Sequence, residues 1–423
     1  DFDAEENKRG ISISAATAPV EWKGTKINLI DVPGYFDFIG EMMGPLRVVE
    51  TAAIVVGAVS GLTVGAEKAW AYAKKNNVCR MFIVNRMDAE NANYEKTIEQ
   101  LREKFGSSVV PLMLPIGEGA KFTGVVNVLE NKAYSGKGKD LKEIPVPADM
   151  APAIENALAE ITEAAAEAVD ELLEKYFEEG ELSHEEILQG FSAGMKSGSI
   201  VPAVPVSAVT GVGVAKLLDV MSAYLHSPEE ASFAGINPKN DEEIIREGKT
   251  SEPFSAFVFK TIADPFVGKL SMLRVCSGTL TSGTALYNSS CEKTEKAGGL
   301  FLLRGKNQLS VSQVSAGDIA ALSKLQFTNT GDTLCDAANP IRYEKISFPE
   351  PSVQKAVYAA KQGEEDKVFS GLARLQEEDP SIRLEKNAET TETILWGQGE
   401  LHLDVIRNKL QSKFGANAVL QDP

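Results

Sequence analysis

Three short runs put chemistry-bearing residues directly after β-rich stretches: Asp31-Val32-Pro33-Gly34, Asn85-Arg86-Met87-Asp88 and Ser207-Ala208. A carboxylate at the carboxyl end of a strand can hold Mg²⁺ through water, and a glycine N–H just beyond it can reach the terminal phosphate of a nucleotide. Asp-x-Pro-Gly is also ordinary turn chemistry, so the first run alone supports either reading. The second run says more. An Asp in that place can accept both the ring N–H and the exocyclic amine of guanine, a pairing adenine lacks, and a site built on such bonds rejects the wrong base by roughly 10⁴ or more. The competing reading has Asn85 and Asp88 capping the helix that follows. Ser207-Ala208 would set a third loop beside the base. In this order the three loops point to a guanine nucleotide pocket, with all three turns on one rim of a common sheet.

The cradle for the phosphates is missing from these residues. Glycine-lysine pairs occur at Gly136, Gly138, Gly248, Gly268 and Gly305, and none has a glycine five positions earlier. Such a glycine is what a phosphate-binding loop demands. Gly248-Lys249-Thr250 is a decoy, with Glu243 where the glycine should stand. Without a nest of backbone N–H groups and its lysine, most of the binding energy for β- and γ-phosphates is absent.

The elements that must position these loops follow from hydrophobic rhythm. The first third alternates strand and helix signals: strands over 11–22 and 25–31 joined by a Lys23-Gly24 turn, strands over 52–59 and 81–85, and a helix over 66–75 between them. That is the punctuation of an α/β domain on a mostly parallel sheet. From about 111 to 199 the rhythm breaks into a Gly/Pro- and Lys-rich stretch and then a helical run over 151–179. Between Asp149 and Glu181 stand 11 acidic side chains against Lys175 alone. Such a face is either simply solvated or a docking surface for a basic partner. Ile154, Leu158, Ile161, Ala165, Val169, Leu172 and Leu173 recur at helical spacing for one buried side. A strand over 200–208 returns to α/β character, and the polar stretch 235–250 reads as a linker. Residues 254–341 carry short β runs punctuated by Gly and Ser, the pattern of a small barrel. The last stretch reads strand, helix over 363–378, two strands, then helix over 401–414, a ferredoxin-like unit.

Composition narrows the class. A chain of 423 residues with 43% hydrophobic content can bury several cores. Its longest apolar stretch, 51–62, falls short of the roughly 20 residues that span a bilayer, so no membrane partner is expected. Cys79, Cys276, Cys291 and Cys335 form no C-x-x-C pair, which suggests neither zinc nor a disulfide framework but reduced thiols in cytosol. A net charge of −17 argues against coating nucleic acid by bulk electrostatics. The opening Asp1–Glu6 is neither an initiation site nor a signal peptide, and a trimmed or disordered beginning accounts for it. His184, His226 and His402 are scattered and build no hydrolytic triad.

Arg9-Gly10-Ile11-Ser12-Ile13, Asp31-Val32-Pro33-Gly34, Asn85-Arg86-Met87-Asp88 and Ser207-Ala208 resemble the switch I, magnesium/γ-phosphate, guanine and base-loop motifs of translational GTPases, and their order resembles elongation factor G. The likeness extends through Asp264-Pro265-Phe266-Val267-Gly268, Ala316-Gly317-Asp318-Ile319, Thr330–Leu334, Phe348-Pro349-Glu350-Pro351 and Gly397–Leu403. It implies a multidomain fold: an α/β P-loop-type G domain entered inside switch I (1–236, with an inserted subdomain at about 111–199), a β-barrel domain II (246–342) and a ferredoxin-like α+β domain III (347–423). It implies GTP/GDP and Mg²⁺ as cofactors, with Ser12 and Asp31 toward the metal. It sets Asp31, Gly34, Asn85, Arg86, Asp88, Ser207 and Ala208 toward the nucleotide. It also implies a cytoplasmic monomer acting on the ribosome, both rRNA and ribosomal proteins, with the acidic insert against the stalk proteins, and a parent that extends further at both ends. Three departures stand out. Ser12 replaces the usual threonine and Arg86 the usual lysine, both mild because a hydroxyl survives and a guanidinium also lies flat on a base. Tyr35 replaces the histidine that orients the attacking water, and a phenol can hydrogen-bond but cannot become a cation. The expected activity is therefore a slow or ribosome-conditional GTPase. The alternatives are a ribosome-binding protein that does not hydrolyse GTP, or a ribosomal protection or release-type factor.

Overall fold

The computed structural model describes every residue except 1, 265–267 and 297. Pro265, Phe266 and Val267 of the Asp264–Gly268 motif therefore lie outside the described residues. The chain forms two compact units: 21–27 with 49–226, and 1–20 with 28–48 and 227–423.

The unit built mainly from 49–226 centres on a four-stranded parallel sheet in the order Thr51–Gly57, Cys79–Asn85, Val201–Pro205, Val109–Pro111. The inner strands Cys79–Asn85 and Val201–Pro205 are buried on both faces, which is why they are nearly continuous in apolar residues, whereas the edge strand Thr51–Gly57 leaves Ala53 and Val55 exposed on its open face. Phe82 is fully buried and packs against the Trp70 and Phe105 rings at 5.7 and 5.6 Å, and those two rings stack on each other at 4.2 Å. Those rings come from the helices Val64–Lys75 and Tyr94–Phe105. Thr63 caps the first helix by accepting from the Ala66 N–H, and Asn93 caps the second by accepting from the Lys96 N–H.

Inside this unit the 111–199 stretch departs from expectation twice. Its Gly/Pro- and Lys-rich part is a four-stranded antiparallel sheet, Met113–Ile116, Gly124–Asn127, Lys132–Ser135 and Lys142–Ile144. The strands are three or four residues long, too short for a period-2 signal to stand out. The expected helical run is two helices, Ala151–Glu167 and Asp170–Glu179. Val169 between them is extended at φ −141°, ψ 118°. Unbroken, the run would reach about 43 Å; the break turns Leu172 back into the core, where it is buried.

The other unit holds an eight-stranded antiparallel sheet within 255–335 and a two-stranded companion, Thr279–Thr281 with Gln313–Ser315. Alternation along each strand splits its apolar residues between two cores. Ala256, Val258, Leu273, Val275, Ala320 and Leu322 fill one, and Phe257, Phe259, Met272, Cys276 and Ala321 the other. The expected linker over 235–250 is instead a hairpin, Ser232–Ile236 paired antiparallel with Glu243–Glu247. Phe233 and Ile244 pack against the second core, so a polar stretch with only two core-facing residues still makes a sheet.

The C-terminal stretch is strand Val353–Ala359, helix Glu365–Glu378, strands Arg383–Lys386 and Thr393–Gly397, helix Glu400–Phe414 and strand Ala418–Gln421. The sheet order 383–386, 393–397, 353–359, 418–421 is that of a split β-α-β unit, as the sequence indicates. At the other end of the chain, the opening is ordered rather than frayed. Helix Ala4–Arg9 carries a capping box between Asp3 and Glu6 and ends at Gly10 in the left-handed region, φ 66°.

One expectation about the sheet fails. Strand Thr25–Asp31 pairs with Ala16–Trp22 in a separate two-stranded sheet, not with the parallel four-stranded one. Among the described residues, Thr51–Gly57 is the edge of the parallel sheet and has no ladder partner on its outer side. Asp31 thus ends a strand, but not a strand of the sheet that ends in Asn85.

Candidate nucleotide site

Register brings the guanine and base-loop motifs together. Gly57 lies opposite Asn85 and Val84 opposite Pro205, so the carboxyl ends of three adjacent strands finish level. Asn85 and Ser207 leave the same rim. The loop from Asn85 is tied down by its backbone: Ala58 N–H donates to Asn85 O at 2.8 Å and Met87 N–H to Val206 O at 3.2 Å. Met87 is fully buried and plugs the loop into the core. Arg86, one position earlier, takes φ +63°, a turn in the left-handed region that sends its own side chain to solvent.

Side chains then lock the two loops to each other. Ser207, itself fully buried, donates from Oγ to Asp88 Oδ1 at 2.7 Å and accepts from the Thr210 N–H at 3.1 Å. Asn85 Oδ1 accepts from the Ala208 N–H at 3.0 Å. Among the described residues the second carboxylate oxygen of Asp88 takes no hydrogen bond, so an acceptor stays available at the rim. The capping alternative fails: the cap of the next helix is Asn93, and neither Asn85 nor Asp88 serves it.

The remaining candidates belong to the other unit. Asp31 and Gly34 are exposed, and Pro33 between them is buried. A Cβ on Gly34 would meet nothing within 4 Å, so there is open space beside its backbone. Tyr35 is 52% exposed and starts the turn Phe36–Phe38, with its carbonyl accepting from the Phe38 N–H at 3.0 Å. Beyond it the chain is docked firmly. Asp37 Oδ2 accepts from the His402 N–H at 3.3 Å, and the Phe38 ring meets the His402 ring edge-on at 5.9 Å. Gly399 fits because a Cβ there would lie 2.1 Å from Asp37 Oδ2.

His402 is almost fully buried. Its Nδ1 accepts from the Gln398 N–H at 3.1 Å, which leaves Nε2–H to donate to Asp379 Oδ2 at 2.7 Å. Burial pushes the Asp379 carboxyl up, but the bonds from His402 and Ser381 outweigh it and hold the group down at about 2. Glu41 anchors the same segment by accepting from the Ala15 N–H at 2.7 Å and pairing with the buried Lys260. Sequence reasoning missed Asp37, Glu41 and Asp379. The His402 partner of Asp37 and the Lys260 partner of Glu41 lie 365 and 219 positions away, and Asp379 meets His402 from 23 positions away, so no local spacing marks them.

Ser12 sits half-buried in a stretch held by Glu6, whose Oε1 accepts from the Ile13 and Ser14 N–H groups at 2.9 and 3.1 Å. Burial pushes the Glu6 carboxyl up, and these backbone donors pull it below the usual range. Among the described residues no cluster of three or more His, Cys, Asp or Glu could hold a metal by protein ligands alone. One carboxylate and one hydroxyl, Asp31 and Ser12, still fit Mg²⁺, which keeps waters and substrate phosphates in most of its positions.

The sequence model of the Elongation factor Tu GTP binding domain matches residues 1–227, that of Elongation factor G domain 2 residues 253–337, and that of Elongation Factor G, domain III, residues 348–422. The chain belongs to the elongation factor GTPase family, with the second and third domains of elongation factor G. A crystal structure of a protein from Thermus thermophilus is similar over all of this chain, at 30% identity and a TM-score of 0.87. This chain spans 61% of that protein's length. The family is a guanine nucleotide-binding one. Among the described residues no helix is long and apolar enough to cross a membrane.

Proposed function

We propose that this protein is a GTP-binding translation factor of the elongation factor G type that acts on the ribosome and hydrolyses GTP slowly. The observation that carries the reading is the Ser207–Asp88 bond of 2.7 Å, which fixes one carboxylate oxygen and leaves the other for a base. With a guanine in place, Asp88 accepts its ring N–H and exocyclic amine, one on the free oxygen and one on the second lone pair of the oxygen that Ser207 holds. Ser207 keeps Asp88 in the required rotamer, Asn85 holds the Ala208 loop against the base, and Arg86 lies over its face. Asp31 and Ser12 face the metal, and Gly34 offers its N–H to the terminal phosphate. When bound, Mg²⁺ neutralises charge on the β- and γ-phosphates. Exchange of Asp88 for Asn replaces an acceptor by a donor, so Asp88→Asn is expected to move preference from guanine to xanthine nucleotides in titrations of the full-length protein. Unchanged preference would refute the role assigned to Asp88.

Tyr35 carries the rate proposal. An exposed phenol at the place of a water-orienting imidazole cannot supply a cation, and loss of such an aligned group costs on the order of 10² to 10⁴ in rate. Tyr35→His is expected to accelerate single-turnover hydrolysis on ribosomes, and equal rates would defeat the idea. A second reading is a ribosome-binding protein that does not hydrolyse GTP. It predicts no tight binding of GTP in titrations of the full-length protein. The rRNA and stalk-protein contacts, the cytoplasmic location and the monomeric state belong to this proposal as well, the stalk contact resting on the acidic helices Ala151–Glu167 and Asp170–Glu179.

A further inference from the structure

One turn of the inserted four-stranded sheet grips the segment that follows Asn85 at both of its ends. Gly119 N–H donates to Met87 O at 2.8 Å, next to Asp88. The preceding residue, Glu118, accepts from the Tyr94 N–H through Oε1 at 2.7 Å. Tyr94 is the first residue of the helix Tyr94–Phe105, where an N–H has no partner inside the helix. Two consecutive residues of the insert therefore close the segment that leaves the sheet at Asn85 and enters the helix at Tyr94.

The turn is built to hold that position. Gly117 takes φ +76°, and a Cβ on it would lie 2.1 Å from Lys121 O, so only glycine closes the turn. Thr123 N–H donates to Ile116 O at 3.0 Å and joins the two strands behind it. Gly119 takes φ +60°, a left-handed conformation that glycine adopts without strain. A third tie comes from the far side: the buried Tyr94 hydroxyl donates to Met113 O at 2.8 Å, on the first strand of the insert. Burial pushes the Tyr94 phenol up, so it stays neutral and remains a donor. Asn93, just before it, is tied to the parallel sheet by its N–H on Ala58 O at 2.9 Å.

From this geometry we infer that Glu118 is a positioning residue for base recognition: with Gly119 and Tyr94 it makes the insert a clamp that holds Asp88 in register with Ser207. The clamp rests on the reading of Asp88 as the base acceptor. Glu118 touches no base. It acts through the Tyr94 N–H and the loop that this bond closes. The acceptor oxygen matters rather than the charge, because the partner is a backbone N–H.

The test compares the chain as it stands with Glu118→Ala and Glu118→Gln. Hydrogen exchange is read at the amides of 87–94, and guanosine binding by NMR titration. Glu118 is exposed, so both variants are expected to keep the wild-type circular dichroism spectrum. Removal of one hydrogen bond predicts exchange about tenfold faster at Tyr94 and its neighbours and guanosine binding weaker by about three- to tenfold in Glu118→Ala. Glu118→Gln keeps a carbonyl acceptor and is expected to restore both. Exchange in Glu118→Ala equal to wild type, or Glu118→Gln as impaired as Glu118→Ala, overturns the clamp. Guanosine that fails to bind the wild-type chain, with exchange responding as expected, overturns instead the base-site reading beneath it.

Discussion

At the base rim, polar side chains of two loops face one another and bond across a few ångströms: Ser207 to Asp88, Asn85 to the Ala208 N–H. Both loops hang from one parallel sheet whose register fixes where each strand stops. The segment after Asp31 is held in another way. Its strand pairs in a two-stranded sheet, its first residues are exposed, and its order comes from side chains planted in buried polar partners further on, Asp37 and Phe38 at His402 and Glu41 at Lys260. A ligand-reading surface on the first pattern is preorganised by backbone. One on the second depends on a handful of buried polar groups, and it moves if any of them is lost.

That contrast can be broken at its strongest point first. His402→Ala leaves the half-buried Asp379 without its principal donor and opens a cavity against Phe38. A loss of about 3 kcal/mol in urea unfolding of the chain is expected. Hydrogen exchange should rise across 35–43 and stay unchanged at 85–92. Equal loosening of both segments would erase the distinction drawn between them.

Acid gives the next largest effect. The folded Asp379 carboxyl is held at about 2, below the usual carboxylate value of about 3.9, so its contribution is fully present above that ordinary value. It is lost as pH falls from about 4 through about 2, and amounts to about 2 kcal/mol. Unfolding free energies measured between pH 5 and 2 should therefore fall more steeply in wild type than in Asp379→Asn. Parallel curves would remove Asp379 from the account.

Smallest is Ser207→Ala. It deletes the donor to Asp88 and the acceptor of the Thr210 N–H, for a loss of about 1–2 kcal/mol. Because backbone bonds still hold both loops, the exchange of Met87 should change little. A large gain in exchange there would mean that side chains, not the sheet, order the rim.

Much of this was legible in the letters. Asn85-Arg86-Met87-Asp88 and Ser207-Ala208 could be read as neighbours because each follows an apolar run long enough to be a buried strand, and such strands end where polar residues begin. The helix near 64–75, the ferredoxin-like order and the β-rich middle were visible for the same reason. The short strands within 113–144 and the hairpin 232–247 were not, since a strand of four or five residues carries too little periodicity to separate from loop. The break at Val169 was hidden by good helix formers on both sides.

The sequence by itself determined which residues could read a base and which local element each would leave, because side-chain chemistry and hydrophobic period are properties of neighbours in the chain. Only the tertiary structure decided that Asp31 ends a different sheet from Asn85, that Asn93 rather than Asp88 caps the next helix, and that Glu118 of the insert closes the base loop. Strand pairing and buried hydrogen bonds join residues tens to hundreds of positions apart, and their partners are chosen by packing that no local pattern encodes.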